Sequence, residues 1–393
     1  MVTIEEADRI KDRLAEIRAD FHKHPELSFH EERTSQRIAE ILWELGLDEV
    51  HTGIAKTGVV GLLRGNAPGK TFALRADMDA LPIQEENDVP YRSQNDGVMH
   101  ACGHDVHITA LLGAAMILGK MRDEIKGNVK FIFQPAEEVA GGAKMMIAEG
   151  VLEEPLKVDA IIGMHVWPDI DVGTIGVKAG PAMAAAGKFE IVVRGPGGHG
   201  AMPHLTSDPI VAAAQIINSL QTVVSRSIDP IQPMVFSVCM IEGGHAFNII
   251  PREVRMVGTT RALDEGVKAN ATDRIKDILR CIGEAMGVEC QLNCIDEFPA
   301  LINNPELIKL IEKAGATVVG SENILNLEPT MGAEDFTYFA RAVPGAMFYL
   351  GIRDEEAGFA SPVHRSTFDV SPGALTIGAA VLSQAALMYL ESV

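Results

Sequence analysis

Short apolar runs bounded by turn residues alternate with stretches of helical spacing along most of this chain, and that alternation constrains the fold more than any other feature. Val59–Leu63, Phe72–Ala76, Val129–Phe133 and Ala160–Met164 read as buried strands. Ile10, Leu14, Ile17 and Phe21 recur at helical spacing, Ile38, Ile41, Leu42 and Leu45 do the same ahead of Gly46, and Val106–Met121 reads as a longer helix. Strands alternating with helices predict an α/β fold, a mainly parallel sheet with helices on both faces. The style changes near residue 183. Lys188–Arg194 (strand), Asp208–Ser225 (helix), Met234–Ile241 and Glu253–Thr260 (strands), Val267–Met286 (helix) and Val288–Cys294 (strand) run β-α-β-β-α-β, the ferredoxin-like split arrangement. Helices at Leu307–Gly315, Asp335–Arg341 and Leu375–Leu390, with a strand at Met347–Leu350, then resume the first style. The expectation is a discontinuous α/β domain of residues 1–182 and 295–393, with a smaller ferredoxin-like α+β domain inserted at 183–294.

The chain carries 34 Lys and Arg against 54 Asp and Glu, a net charge of −20. That balance speaks against nucleic acid, whose binding rests on clustered basic side chains, and against anionic membrane surfaces. The longest weakly polar run, Ala374–Leu390, is interrupted by Thr376, Ser383 and Gln384. It also falls short of the about 20 apolar residues that span a bilayer, so it reads as a packed helix. Acids open the chain where a secretory signal needs basic residues, and the five cysteines are odd in number and scattered. Both features point to a reduced, cytoplasmic protein. Cys239, Cys281, Cys290 and Cys294 have no paired histidines and read as core packing.

The densest group of metal donors is His100-Ala101-Cys102-Gly103-His104-Asp105-Val106-His107, between a glycine-containing loop and the start of a helix. Cys102 and His104, on either side of a glycine, can turn a sulfur and an imidazole toward one point. Gln134-Pro135-Ala136-Glu137-Glu138 follows the strand Val129–Phe133, at the carboxyl end where open α/β sheets bind their ligands. Phe72–Ala76 ends at Asp77-Met78-Asp79 and Ala160–Met164 ends at His165, so three strands deliver acidic or metal-competent residues to one edge. Pro362-Val363-His364 adds an imidazole near the C-terminus. Adjacent acids can divide the work, one carboxylate holding a metal while the other accepts a proton from water acidified by it.

These segments keep the order found in a known family, together with His24-Pro25-Glu26-Leu27, Arg75-Ala76-Asp77-Met78-Asp79-Ala80-Leu81-Pro82, Gly163-Met164-His165, Phe247-Asn248-Ile249-Ile250-Pro251 and Gly332-Ala333-Glu334-Asp335-Phe336. The chain resembles the two-metal amidohydrolases: hippurate hydrolase, aminoacylases, auxin–amino acid conjugate hydrolases and related carboxypeptidases. The Cys-Gly-His-Asp version is that of the hippurate and auxin-conjugate branch, in which Asp77 stands where other relatives carry a ligand histidine. The resemblance implies two divalent ions per chain, zinc by default, with cobalt, manganese or nickel fitting the same donors. It assigns Cys102, His104, Glu138, His165 and His364 as ligands, with Cys102 bridging, and Glu137 as general base. Asp79 would orient a ligand imidazole from behind. The inserted domain would be a lid that builds a homodimer, or a higher oligomer from it. His199, projecting from Gly195-Pro196-Gly197-Gly198-His199-Gly200, would reach the partner's site and stabilise the developing oxyanion. Asn248 and Arg261 would grip the free carboxylate of an N-acyl amino acid or short peptide. One motif departs from the commoner pattern: His364 is followed by Arg365-Ser366 where relatives carry Ser-Pro.

The glycine run around His199 formally matches a dinucleotide-binding G-x-G-x-x-G, but the next helix begins only near Asp208, too late for that use. Three other readings stay open at this point. The same residues suit a metallocarboxypeptidase or dipeptidase, a hydrolase with Cys102 as nucleophile and His104 as base, or a non-catalytic metal-binding protein. The last is disfavoured by Glu137, a carboxylate that a storage site does not need.

Overall fold

Runs such as Val59–Leu63 and Ala160–Met164 are apolar at nearly every position because the sheet they build is covered on both faces. A computed structural model of the chain describes residues 1–139 and 141–391. It divides into two compact units: Met1–Gly180, Ile302–Glu328 and Asp335 onward form the first, Pro181–Leu301 and Pro329–Glu334 the second. The strands of the first unit's large sheet are numbered in chain order: β1 (Glu49–Ile54), β2 (Gly58–Arg64), β3 (Ala67–Asp77), β4 (Lys126–Gln134), β5 (Ala160–Asp171), β6 (Ile175–Val177), β7 (Ile324–Asn326) and β8 (Gly345–Arg353). Their order across the sheet is β1-β2-β4-β3-β5-β8-β6-β7. The centre, β4-β3-β5-β8, is parallel throughout, while β1, β2 and the β8–β6 pairing are antiparallel. The sheet is thus mixed, with the expected parallel part at its heart. β1 escaped the sequence reading because it is an edge strand with three exposed positions and no apolar run.

Helix His104–Lys120 is buried at every position from His104 to Leu118. Helix Gly373–Glu391 is long and apolar enough to cross a membrane, but 83% of its most apolar window is buried inside the protein. Its faces join the core through Ala379, Ala380 and Val381. Parallel pairing sets the functional edge. Asp77 lies opposite Gln134 at the carboxyl ends of β3 and β4, and Arg75 lies opposite Gly163 of β5. The residues that follow these ends therefore come out side by side.

The second unit runs strand (Ala185–Arg194), helix (Pro209–Thr222), strand (Met234–Gly243), strand (Glu253–Ala262), helix (Glu265–Met286), strand (Glu289–Phe298). The strands form an antiparallel sheet in the order 234–243, 253–262, 185–194, 289–298. Phe189, Ile191 and Val193 alternate inward and pack with Ala212, Ile216, Ile275 and Leu279 of the two helices, giving this unit its own core. The last strand continues to Phe298, and residues 295–301 and Pro329–Glu334 group with this unit, whereas the sequence reading placed them in the first. The cysteines here are also not core residues: Cys239, Cys281 and Cys294 are exposed and Cys290 is half-buried. Cys281 sits between Leu279 and Gly283 on the solvent side of its helix, and Cys294 lies on an edge strand.

Candidate metal centre

Gly103 makes the first turn of the site. Its φ is +85°, and a Cβ there would come within 2.5 Å of the Val166 Cγ2 atom. Only glycine allows Cys102 to fold back against the helix that begins at His104. Cys102, His104 and His165 bring ligand atoms within 4.8 Å of one another, and so do Cys102, Glu138 and His364, and His104, Glu137 and Glu138. The Cys102 sulfur lies 3.7 Å from His165 Nε2 and 3.3 Å from His364 Nε2. Glu138 Oε1 lies 3.5 Å from His364 Nε2 and 3.9 Å from His104 Nε2. Five expected ligands from four separate segments of the sequence thus converge, with Cys102 common to two of the triads.

Hydrogen bonds fix which ring nitrogen each histidine presents. His104 Nδ1–H donates to the Asp79 carbonyl at 2.8 Å and His165 Nδ1–H to the Val166 carbonyl at 2.7 Å, leaving both Nε2 lone pairs for the centre. His104 Nε2 and Glu138 Oε1 are fully buried and have no hydrogen-bond partner among the described residues. A buried polar atom left this way costs about 1–3 kcal/mol unless something binds it. A sulfur, three imidazoles and a carboxylate around such atoms are donors that suit divalent cations. The close approach of the Cys102 sulfur, and after it of the Glu138 carboxylate, pushes His364 up to about 10. The His364 backbone is itself left-handed, φ 63°.

Behind these groups, Asp79 holds three of them at once. Its carboxylate accepts from the Glu137 and Glu138 N–H groups, each at 3.1 Å, and from the Ser28 hydroxyl at 2.6 Å, while its carbonyl takes the His104 proton. Burial works to raise the Asp79 carboxyl, but hydrogen bonds from His104 and Ser28 outweigh it and hold the group below its usual range. Ala136, just before Glu137, has φ 53°, and its N–H donates to buried Glu31 at 2.9 Å. Glu137 is buried, and its Oε1 accepts from the Asp335 N–H at 3.4 Å. Asp335 in turn accepts from Gln134 at 2.7 Å and Arg75 at 3.0 Å, and Arg75 also reaches Asp77 at 2.7 Å. Asp77 is turned toward His107 Nδ1 at 2.5 Å, and His107 Nε2 accepts from the Val166 N–H at 2.9 Å. That pairing fixes His107 in one neutral form, and burial lowers it to about 4.

The remaining expected residues belong to the second unit. His199 is exposed and paired with Ile249 in a two-residue antiparallel ladder between Gly198–His199 and Ile249–Ile250, and the Gly200 N–H donates to the Asn248 carbonyl at 2.8 Å. His199 Nδ1 accepts from the Ala201 N–H at 3.1 Å, so the Nε2 carries the proton and is available to donate. Arg261 is near the opposite end of the strand Glu253–Ala262, bonded to the Thr260 carbonyl at 2.9 Å. This short ladder brings the His199 and Asn248 segments together; it does not bring Arg261 to them.

The family model for peptidase family M20/M25/M40 matches residues 73–388, most of the chain and all the converging donors. The chain belongs to this family. A thermostable carboxypeptidase of Saccharolobus solfataricus is 44% identical over 374 residues, covering 94% of this chain and 93% of that protein. An N-acetylcysteine deacetylase of Bacillus subtilis is 38% identical, covering 97% of this chain and 98% of that protein. A solved structure described as a dinuclear metal binding peptidase of the M20 family, from Bacillus subtilis, superposes with a TM-score of 0.86 at 34% identity, covering 98% and 100% of the two chains. The chain is therefore a metal-dependent hydrolase of the amidohydrolase and peptidase kind.

Within this M20-family chain, several supporting residues carried no sequence signal of their own. Ser28 and Glu31, which steady Asp79 and Ala136, lie far from both in the sequence. Asp335 stood inside a recognised motif without an assigned task. A buried Arg75 on a strand otherwise apolar was the one available hint, since an interior guanidinium requires carboxylate partners.

Proposed function

We propose that this protein hydrolyses the amide bond of N-acyl amino acids, using two divalent cations, zinc by default, held by Cys102, His104, Glu138, His165 and His364. The observation that carries the reading is the pair of buried, unpartnered atoms, His104 Nε2 and Glu138 Oε1, inside a converged donor set beside a buried Glu137. Cations bound there would acidify a water molecule and polarise the amide carbonyl. Glu137, steadied by the Asp335 N–H, takes the proton and passes it to the leaving amine. Asp79 keeps Glu137, Glu138 and His104 in register. A nucleophilic Cys102 is disfavoured, because its sulfur is shared between His165 and His364 rather than aimed along one base.

The second unit is read as the ferredoxin-like lid, with Asn248 and Arg261 gripping the substrate carboxylate and His199 Nε2–H donating to the oxyanion. Geometry inside that unit supports a dimer. From Glu253 to Arg261 the strand spans about 26 Å at roughly 3.3 Å per residue, and His199 lies beyond the Glu253 end. A small N-acyl amino acid cannot touch both ends of one sheet, so contact with all three groups requires two chains. Met240, Ile241, Phe247 and Ile249 are exposed toward the end of the unit that carries His199, the kind of apolar patch a partner covers. A carboxypeptidase activity on short peptides is the second reading, favoured by the 44% identity to a carboxypeptidase.

Glu137→Gln tests the core of the proposal. The variant should keep about two ions per chain and lose nearly all turnover of benzoyl-glycine and of dipeptides. Full activity would remove Glu137 from its role, and the ratio of the two wild-type activities decides between the substrate classes.

A further inference from the structure

His364 is the ligand with the weakest local support. It lies well past the end of β8 at Arg353, in irregular chain, with a left-handed backbone. Its segment is tied at several points: the His364 N–H donates to the Ala101 carbonyl at 2.7 Å, the Glu86 N–H to the Ser366 carbonyl at 2.9 Å, and the Asn87 amide to the Phe368 carbonyl at 2.9 Å. The strongest tie is charged. Asp369 accepts from Arg18 Nη2 at 2.6 Å and from the Tyr91 hydroxyl at 2.7 Å, and its carboxylate also accepts from the Val370 N–H at 2.8 Å. Arg18 extends the connection. Its Nε donates at 3.0 Å to Asp105, beside His104, and Asp105 also receives His22 Nδ1 at 2.8 Å. One buried guanidinium therefore joins the helix start that follows Cys102 to the segment that presents His364.

We propose that Asp369, gripped by Arg18 and Tyr91, is a positioning residue for His364 and sets the affinity of one cation of the pair. That cation is the one at Cys102, Glu138 and His364. The inference rests on the two-cation reading above. Its partner at Cys102, His104 and His165 is insulated from Asp369, because His104 and His165 take their orientation from the Asp79 and Val166 carbonyls. Loosening Asp369 lets the His364 imidazole drift from its aim while the other histidines stay in place. Charge pairing with Arg18 suits the task, since its Nη2 makes a charge-assisted bond to Asp369 while its Nε is held by Asp105.

The test reads metal affinity directly. Chelator-stripped protein is titrated with Zn²⁺ in competition with a chromophoric chelator, and bound metal is counted by elemental analysis. Wild type should show two binding steps. Asp369→Asn should weaken one step by about 10–100-fold, the usual effect of removing support behind a ligand, and leave the other within about two-fold. Tyr91→Phe should weaken the same step by less, about 3–10-fold, because it removes a single neutral hydrogen bond from the same carboxylate. Asp369→Asn is nearly isosteric, and Tyr91→Phe keeps the ring, so both retain the packing around the segment. Two steps that weaken in parallel, or that do not move in either variant, overturn the proposal. A wild-type protein that binds fewer than two ions overturns the two-cation reading itself.

Discussion

Asp79→Asn isolates the residue that holds the catalytic loop. In the native protein one oxygen accepts the Glu137 N–H and the other accepts the Glu138 N–H and the Ser28 hydroxyl. An amide keeps only one of those acceptors. Whichever way it is turned, an NH₂ group faces one of the two backbone donors that Asp79 now accepts from. A buried donor left unsatisfied costs about 1–3 kcal/mol, and losing the charge weakens the remaining bond by about 1 kcal/mol, so the expected loss is about 2–4 kcal/mol of stability. His104 still donates to the Asp79 carbonyl, so the fold survives, but Glu138 loses its aim and metal affinity should fall by about 10–100-fold. Urea unfolding of the stripped protein and chelator-competition titration measure the two effects. Ser28→Ala is the control: it removes a hydroxyl alone and should cost about 1 kcal/mol. Equal losses in the two variants, or unchanged metal affinity in Asp79→Asn, would refute the reasoning.

Gly103→Ala should destabilise the protein by about 2–4 kcal/mol and lower metal content, since a side chain there meets both a positive φ and the Val166 methyl at 2.5 Å; thermal unfolding with elemental analysis checks it. His22 is the titrating support. Burial lowers its proton affinity, but Asp105 and Glu85 outweigh burial and push it up to about 9 from 6.5. Its folded state favours the proton, so its contribution is complete below about pH 6.5 and is lost as pH rises toward 9, by about 3 kcal/mol at 1.36 kcal/mol per unit. Urea midpoints of metal-free wild type should fall across that window, and His22→Gln should flatten the fall. If His199 acts across a dimer, as proposed above, mixing inactive Glu137→Gln chains with inactive His199→Ala chains should restore part of the activity, because each mixed pair would hold one site with an intact base and an intact imidazole. Activity that stays at the level of the separate variants would place His199 in its own chain's site.

Local chemistry made much of the centre legible. Cys102 and His104 flank a glycine, Glu137 and Glu138 follow an apolar strand, and His165 ends another, so the pattern needed only the rule that parallel strands share a carboxyl edge. What stayed hidden depends on contacts between distant segments. Arg18 and Asp369 are separated by nearly the whole chain, and neither sits in a periodic pattern that marks a partner. Glu31 carries no signal in the sequence, because nothing near it shows that the Ala136 N–H needs an acceptor. The cysteines misled for a different reason: chemistry said buried thiol, while register decided exposure. Ile275, Leu279 and Gly283 mark the inner face of their helix, and Cys281 falls off that stripe.

The position of β8 has a consequence for how the molecule is made. It inserts between β5 and β6, although some 170 residues separate it from β6 in the chain. During synthesis β5 must wait, one side unpaired, while Pro181–Leu301, nearly all of the second unit, leaves the ribosome. Closure of such a long loop is slow, and an uncovered apolar strand invites pairing with other chains. Because His364 arrives only after β8, the last donor is delivered by the same late step that completes the sheet.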